Sequence, residues 1–295
     1  MSKVLLIVNP SAGGEKAKAF EGQAKEKLAS LFDDVVVKYT EKAGDAIAFA
    51  RQAARERYDS VFVMGGDGTV NEGISGLAEQ DYRPTFGFFP LGTVNDLARA
   101  LGMSLDPEEA IHQLDLTKVK PLDIGKVNDQ YFMNVVAIGT IPESINNVDP
   151  EQKTKWGKLA YFISGFKQLT ETNFHEFRLT IDGEVREVQS STLLIGSSNT
   201  IGGFESILPE AEVNDGLLHL IYLKDQTLLD TLVAVPELLS GNSGSSEKIE
   251  YMTVKELKVE LLDPSIRLSI NVDGDEGDCL PVTISVLPSH LDVYY

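Results

Sequence analysis

Short apolar runs alternate with helical patterns along the first part of the chain. Four such runs, each bounded by turn residues, predict strands over Val4–Val8, Val35–Tyr39, Ser60–Met64 and Thr85–Phe89. Between them Ala, Lys, Glu and Gln recur at helical spacing, which predicts helices over Glu15–Leu31 and Asp45–Arg57. Alternating strands and helices favour a parallel sheet with helices on both faces. Such a sheet binds its ligands at the carboxyl ends of its strands.

The second part of the chain changes character after Pro121 and becomes rich in strand patterns. The predicted strands are Leu122–Val127, Tyr131–Ile138, Phe177–Ile181, Thr192–Gly196, Leu217–Leu223, Leu257–Leu261 and Arg267–Val272. Helical patterns interrupt them at Lys155–Thr172 and Gln226–Ser240. We therefore predict an α/β domain over residues 1–122 and a mostly antiparallel, β-rich, sandwich-like domain over residues 123–295. The pattern leaves open whether the last strand returns to the first domain.

Three glycines follow the third predicted strand, in V-F-V-M-G-G-D-G-T-V-N-E. Gly65, Gly66 and Gly68 let the backbone turn sharply and approach a ligand. A helix is predicted to begin near Val70, so amide N–H groups and the positive helix terminus would form an anion site suited to phosphate. Thr69 and Asn71 add short hydrogen-bond donors. The carboxylate of Asp67 would lie where a nucleotide-bound magnesium ion could be held.

Two further loops of the same kind follow the first and fourth strands. N-P-S-A-G-G spans Asn9–Gly14, and P-L-G-T-V-N-D-L-A-R spans Pro90–Arg99. Three consecutive carboxyl ends thus carry small, polar, glycine-containing loops, which indicates a shared phosphate site rather than one ordinary turn. None of the loops fits G-x-x-x-x-G-K-[ST] or G-x-G-x-x-G, so neither common nucleotide fingerprint applies.

Composition limits the classes of partner. The 295 residues include 45 acidic and 26 basic side chains, for a net charge of −19, which argues against nucleic-acid binding through clustered Lys and Arg. The single cysteine, Cys279, cannot form an internal disulfide, and the first apolar run is too short for a signal peptide. No apolar run approaches the roughly 20 residues of a membrane-spanning helix. A cytoplasmic protein with at most peripheral membrane contact is expected.

These motifs, in their order and spacing, resemble the catalytic domain of the diacylglycerol kinase family, specifically its soluble bacterial lipid kinases. The resemblance runs nearly end to end. It continues through P-L-D-I-G-K (Pro121–Lys126), G-F-E (Gly203–Glu205), V-N-D-G-L-L (Val213–Leu218) and N-V-D-G-D-E-G-D-C-L-P (Asn271–Pro281). It implies an N-terminal α/β domain like those of the NAD and diacylglycerol kinases, which binds ATP. It also implies a β-rich lipid domain, with phosphoryl transfer in the cleft between the two.

The resemblance also implies which residues contact ATP. The matching positions are Asn9, Pro10, Ser11, Ala12, Gly13, Thr40, Gly65, Gly66, Asp67, Gly68, Thr69, Asn71, Glu72, Gly92, Thr93 and Asn95. Arg99 is a candidate to pair with the triphosphate or a lipid phosphate, although an arginine in the first turns of a helix is more often a solvated or ion-paired residue. The family's basic positions are Gly14 and Ser164 here, with Lys16 and Lys167 nearby, so the chain departs from the family at its phosphate-clamping lysines.

Metal ligands and a general base are implied by the same resemblance. Asp67, Asp96 and Asp123 match an acidic set that organises Mg²⁺ through water. A second, structural metal site would use the side chain of Asp215 with main-chain oxygens of Glu212 and Leu217. The family places its base in V-D-G-E, where this chain reads V-D-G-D-E. The matching residue is Asp275, one methylene shorter, with Glu276 immediately after it as the alternative.

The expected function is therefore an ATP- and Mg²⁺-dependent lipid kinase that phosphorylates diacylglycerol to phosphatidic acid. Alternatives are a kinase for a sphingoid base, another glycerolipid or NAD, and a catalytically weak regulator that binds lipid or nucleotide. Peripheral contact with the inner face of the membrane is expected, with Trp156 and its neighbouring lysines as one candidate contact. The sequence leaves a homodimer open.

Overall fold

A computed structural model of the chain describes residues 2–14, 16–139, 174–205, 207–224 and 246–295, with positions 227, 230, 234, 237 and 238. The described chain divides into two compact units. The first comprises Met1–Met133, Glu212–Gly216 and Val286–Tyr295, and the second comprises Asn134–Ala211 and Leu217–Ser285. The predicted helix Lys155–Thr172, with Trp156 and Lys167, lies outside the described residues, as does most of Gln226–Ser240.

The first unit is built on a parallel sheet. Its strands are β1 (Lys3–Val8), β2 (Asp34–Tyr39), β3 (Ser60–Gly65), β4 (Thr85–Pro90), β5 (Val119–Val127), β6 (Gln130–Phe132) and the end of a strand over Val282–Tyr294. Its helices are α1 (Lys16–Leu31), α2 (Asp45–Arg55), α3 (Asp67–Leu77), α4 (Asp96–Ala100) and α5 (Pro107–Gln113). The parallel order is β2-β1-β3-β4, and the end of the last strand pairs with β4 in parallel.

Alternate side chains of the two central strands enter different cores. Leu5 and Val63 pack in one cluster with α2 and α3, whereas Leu6 and Phe62 pack in another with α1. Because both faces are covered, these strands read as continuous apolar runs rather than as an alternation. The predicted parallel sheet with helices on both faces is confirmed.

The second unit is mostly antiparallel. Its strands are β7 (Val135–Gly139), β8 (His175–Ile181), β9 (Glu184–Ser190), β10 (Thr192–Gly196), β11 (Leu218–Leu223), β12 (Ile249–Val254), β13 (Glu256–Leu261), β14 (Ser269–Val272), β15 (Asp275–Cys279) and the start of β16 (Val282–Tyr294). One sheet has the order β12-β11-β10-β7-β14-β15, and β16-β13-β8-β9 form the other set. The predicted β-rich second domain is confirmed.

Several predicted boundaries differ from the structure. In the structure the first unit extends to Met133, and β6 pairs with β5 within it; the domain boundary after residue 122 stays a prediction. The predicted strand Tyr131–Ile138 breaks between Phe132 and Val135. α3 begins at Asp67 rather than near Val70, with Gly66 in extended conformation as its N-cap. Among the described residues, no helix is long and apolar enough to cross a membrane.

His290 gives the first unit a pH-dependent contact. Its Nε2 accepts a hydrogen bond from the Glu79 amide at 2.8 Å, and burial lowers its pKa, helped by Arg83 and Lys126 and opposed by Glu79. A protonated Nε2 cannot accept this bond. The contribution to stability is therefore present above the ordinary histidine pKa of 6.5 and is lost as the pH falls through the lowered pKa.

We expect the free energy of unfolding to fall by about 1 kcal/mol more in the wild type than in His290→Gln between neutral pH and pH ~5. The glutamine carbonyl can accept the same bond at either pH. Urea denaturation of both proteins at the two pH values measures the difference. An equal acid loss in the two proteins would show that His290 is not responsible.

Candidate active site

The three glycine-containing loops are numbered along the chain: the first spans Asn9–Gly14, the second Gly65–Glu72 and the third Pro90–Arg99. The first and second loops meet at the carboxyl edge of the parallel sheet. Asn9 follows β1, and its Nδ2 donates to Thr69 Oγ1 in α3 at 2.9 Å. The Oδ1 of Asn9 accepts hydrogen bonds from the Ser11 amide at 3.1 Å and hydroxyl at 2.8 Å. One asparagine thus shapes its own loop and joins it to the glycine-rich turn.

The second and third loops approach through their glycines. A Cβ on Gly66 would lie 3.1 Å from the Gly92 Cα, and a Cβ on Gly92 would lie 2.9 Å from the Gly66 Cα. The Leu91 amide also donates to the Gly65 carbonyl at 2.8 Å. Glycine is needed at this crossing because a side chain on either backbone would force the loops apart.

Asp67 holds the third loop through both carboxylate oxygens. Its Oδ2 accepts from the Asn95 amide at 2.9 Å, and its Oδ1 accepts from the Asp96 amide at 2.8 Å. Asn95 has a φ of 55°, and its side chain makes two hydrogen bonds to Gly92, at 2.8 and 3.1 Å. Asp67, which the sequence places before the predicted helix start near Val70, is the first residue of α3, and its carboxylate holds the third loop in place.

Three further candidates lie in or beside these loops. Arg99 Nε donates to the Val94 carbonyl at 2.9 Å, which closes the third loop onto α4. The Thr40 amide donates to the Val8 carbonyl at 2.9 Å, beside the first loop. The Oδ1 of Asn71 is buried and has no hydrogen-bond partner among the described residues. Contact of these residues with ATP or lipid remains a prediction.

The carboxylate of Glu72 binds the start of α2. Its Oε1 accepts from the Gly44 amide at 2.9 Å, and its Oε2 accepts from the Ala46 amide at 3.1 Å. Gly44, the N-cap of α2, has a φ of 87° and no capping side chain of its own. Glu72 therefore supplies the cap from another helix and fixes the segment that follows Thr40. A direct contact between Glu72 and ATP stays a prediction.

Glu72→Ala should lower the free energy of unfolding by about 1–2 kcal/mol, because two amides at a helix terminus lose a charged acceptor. Urea denaturation at neutral pH measures the loss. Glu26→Ala, at an exposed position of α1, is the control and should stay within about 0.5 kcal/mol of the wild type. Equal values for the two variants would contradict the capping role.

Asp123 is a buried carboxylate with two backbone donors. It is 2% exposed, and it accepts from the Gly216 and Ser289 amides, each at 2.6 Å. Its own amide donates to the Val213 carbonyl at 2.7 Å. Burial raises the pKa of Asp123, while the bonds from Ser289 and Gly216 lower it. Asp123 thus holds the segment Glu212–Gly216 within the first unit.

The predicted metal residues do not form a direct ligand set. In the part of the chain that the structure describes, no group of three His, Cys, Asp or Glu side chains is placed to hold one ion. Each oxygen of Asp67 accepts one amide, so lone pairs remain for water of a hydrated Mg²⁺, which keeps several waters and uses few carboxylates. In the second predicted site, Asp215 Oδ2 accepts from the Glu212 amide at 3.1 Å. Metal binding at both sites remains a prediction.

The two candidate bases lie on β15 of the second unit, and both are exposed. Asp275 pairs with Val272, and Glu276 pairs with Asn271. Because successive side chains of a strand point to opposite faces, only one of these carboxylates can face a given substrate. Sequence reasoning missed Asp273 two residues earlier, whose carboxylate accepts from two amides. The D-G dipeptide directly after the predicted strand Arg267–Val272 was the available signal.

Comparisons with known proteins agree with this arrangement. The profile of the diacylglycerol kinase catalytic domain matches residues 3–127, and that of the YegS C-terminal NAD kinase beta sandwich-like domain matches residues 135–295. A diacylglycerol kinase of Bacillus subtilis (strain 168) is 34% identical over 297 residues, covering 99% of this chain and 96% of the relative. One of Staphylococcus carnosus (strain TM300) is 32% identical over 289 residues, covering 98% and 94%.

A solved structure extends the similarity to three dimensions. The crystal structure of a diacylglycerol kinase from Bacillus anthracis str. Sterne has a TM-score of 0.82 and 30% identity, covering 100% of this chain and 97% of that one. The matched catalytic domain and the relatives of the same family identify the chain as a lipid kinase. The chain belongs to the diacylglycerol kinase family.

Proposed function

We propose that this lipid kinase transfers the γ-phosphoryl group of ATP to the free hydroxyl of diacylglycerol and produces phosphatidic acid. The observation that carries the proposal is the junction of the three loops, made by the Asn9–Thr69 bond, the Gly66–Gly92 crossing and the hydrogen bonds of the Asp67 carboxylate to the third loop. Backbone amides at the start of a helix, with no side chain on the glycines, suit a chain of phosphates. The relatives named as diacylglycerol kinases support diacylglycerol as the acceptor.

In the proposed reaction the lipid hydroxyl oxygen forms a bond to the γ-phosphorus as the bond from that phosphorus to the leaving ADP oxygen breaks. The carboxylate of Asp275 accepts the hydroxyl proton. The loop amides bind and orient the phosphates, and the Asp67 carboxylate holds the third loop in position. A bound Mg²⁺ would neutralise charge on the phosphate oxygens, with Asp67, Asp96 and Asp123 as its residues through water.

The test is incubation of the purified protein with labelled ATP, Mg²⁺ and a panel of acceptors in mixed micelles, and then identification of the labelled product. The panel contains diacylglycerol, a sphingoid base, monoacylglycerol and, in solution, NAD. Labelled phosphatidic acid as the main product is the expected result. A different labelled acceptor would identify another kinase specificity. Nucleotide binding without lipid-dependent ADP release would favour a regulator.

Membrane association should be peripheral and tolerant of salt. A protein with a net charge of −19 cannot depend on overall attraction to anionic lipid. Cosedimentation with anionic vesicles at about 0.1 M and 0.5 M salt, between which screening strengthens, should give similar bound fractions. Neutral vesicles are the control. Complete release by the higher salt would show that a local basic patch, such as the lysines near Trp156, dominates binding.

A further inference from the structure

Two hairpins of the second unit contain the same turn. Asp182–Gly183 joins β8 to β9, with φ values of 47° and 91°, and Asp273–Gly274 joins β14 to β15, with φ values of 49° and 100°. Two central residues with positive φ are typical of the type I′ turn, which matches the twist of a two-residue hairpin and favours Asp-Gly. The turns thus share sequence and backbone conformation.

Each aspartate also binds the start of a neighbouring strand in the same way. Asp182 donates its amide to the Glu256 carbonyl at 3.0 Å, and its Oδ1 accepts from the amides of Lys255 at 3.1 Å and Glu256 at 2.9 Å. Asp273 donates its amide to the Val135 carbonyl at 2.9 Å, and its Oδ1 accepts from the amides of Asn134 at 3.0 Å and Val135 at 2.8 Å. Three matching hydrogen bonds hold each turn.

The two turns differ in the strand that each one starts and in the backbone that each one binds. β9 begins with Glu184, an exposed residue paired with Arg186, whereas β15 begins with Asp275 and Glu276, the candidate bases. The backbone that Asp273 binds is buried, since Asn134 is only 4% exposed. The Asn134 carbonyl accepts from the Ser197 amide at 3.0 Å. The Asp273–Gly274 turn, which precedes the candidate base Asp275, is therefore bound to buried backbone of the second unit.

We propose that Asp273 is a positioning residue for phosphoryl transfer, whose carboxylate fixes the start of β15 and so the carboxylate that accepts the proton. This inference rests on the proposed function and adds a residue that does not itself touch the substrate. Catalytic groups must be held within about 0.5 Å of the productive geometry, and a displacement of about 1 Å can lower the rate 100-fold. Without the Asp273 carboxylate, the Asn134 and Val135 amides lose this acceptor, and the turn loses two of the hydrogen bonds that join it to the start of β7.

Asp273→Ala should lower kcat by about 10-fold or more while the KM for ATP changes less than about twofold. Asp273→Asn keeps a carbonyl oxygen that can accept both amides, and should restore kcat to within about threefold of the wild type. Asp182→Ala is the matched control because it removes the same side-chain acceptor from a hairpin without a candidate base. It should lower Tm less than Asp273→Ala does, because water can reach the amides of the exposed residues Lys255 and Glu256, and it should leave kcat unchanged.

Three results would overturn the proposal: an unchanged kcat in Asp273→Ala, equal losses of kcat in both alanine variants, or a loss confined to KM. Hydrogen exchange gives an independent readout that does not need activity. Asp273→Ala should speed exchange of the Asp275–Cys279 amides, whereas Asp182→Ala should leave them unchanged. If the wild type phosphorylates no lipid, the proposed function fails, and the exchange of these amides still decides whether Asp273 positions β15.

Discussion

Asp67→Ala is expected to lower phosphoryl transfer by about 100-fold or more, to the limit of detection in the labelled-lipid assay. The variant removes both acceptors that hold the amides of Asn95 and Asp96, so the third loop is released at its junction with the glycine-rich turn. It also removes a carboxylate that is proposed to face magnesium-bound water. Turnover at saturating ATP and diacylglycerol measures the effect.

The control for Asp67 lies at the opposite end of the same strand. Asp59 precedes β3, and its Oδ2 accepts from the Lys3 amide at 2.6 Å, so Asp59→Ala also removes a side-chain acceptor of a backbone amide. Both variants should lose about 1–2 kcal/mol of unfolding free energy, and Asp59→Ala should keep near-normal turnover. Wild-type activity in Asp67→Ala would refute the assignment of G-G-D-G to the phosphate site.

Asp67→Asn separates two roles of the Asp67 side chain: its hydrogen bonds to the third loop and its negative charge. The amide carbonyl can accept from one of the two backbone donors, but the amide nitrogen would face the other donor. If Asp67 acts only through these hydrogen bonds, the asparagine variant should retain more turnover than alanine. If its charge acts through a metal-bound water, both variants should be similarly inactive, and added Mg²⁺ should not restore turnover.

The strands and helices of the first unit could be predicted because each has a distinct pattern of apolar and polar residues. β1 and β3 are covered on both faces, so their side chains are nearly all apolar and stand out from the helices between them. The start of α3 differs from the prediction because Gly65, Gly66 and Gly68 have the composition of a loop. The extended Gly66 instead caps the helix directly. Composition alone does not show at which residue of such a glycine-rich segment the helix begins.

Other features depend on partners that are far apart in sequence. The break between β6 and β7 has no glycine or proline, and it is set by the Asp273 carboxylate, which binds Asn134 and Val135 at sequence separations of 139 and 138. Asp123 binds Gly216 and Ser289 at separations of 93 and 166 residues. The motifs identified Asp123 as a candidate, but they could not show that backbone amides occupy its carboxylate.

The largest expected effect in the second unit is that of Asp275→Asn, which should lower kcat by roughly 100-fold or more, the range that general-base catalysis supplies. The neutral amide cannot accept the hydroxyl proton, while the hairpin remains closed by the Val272–Asp275 backbone pair. The KM for ATP should change little, because the loops proposed to bind phosphate belong to the first unit. Steady-state kinetics with diacylglycerol in mixed micelles measure both constants.

The control is the neighbouring carboxylate. Glu276 pairs with Asn271 and therefore lies on the opposite face of β15, so Glu276→Gln should be mild if Asp275 is the base. Asp275→Glu restores the family's V-D-G-E and should leave substantial activity, because the carboxylate reaches one methylene further. The reverse order, with Glu276→Gln inactive and Asp275→Asn nearly normal, would show that the base was assigned to the wrong face of the strand.

Retained activity in both variants would place the base elsewhere, with Asp123 as the next candidate. Burial raises the pKa of Asp123, which suits proton acceptance near neutral pH better than an ordinary aspartate would. However, both of its oxygens accept backbone amides at 2.6 Å, so Asp123→Asn would also lose one of these two hydrogen bonds. A loss of kcat in Asp123→Asn would count for a base only if the free energy of unfolding stayed near that of the wild type. Among the residues that the structure describes, no backbone amide donates to the exposed carboxylate of Asp275, so its substitution gives the cleaner test.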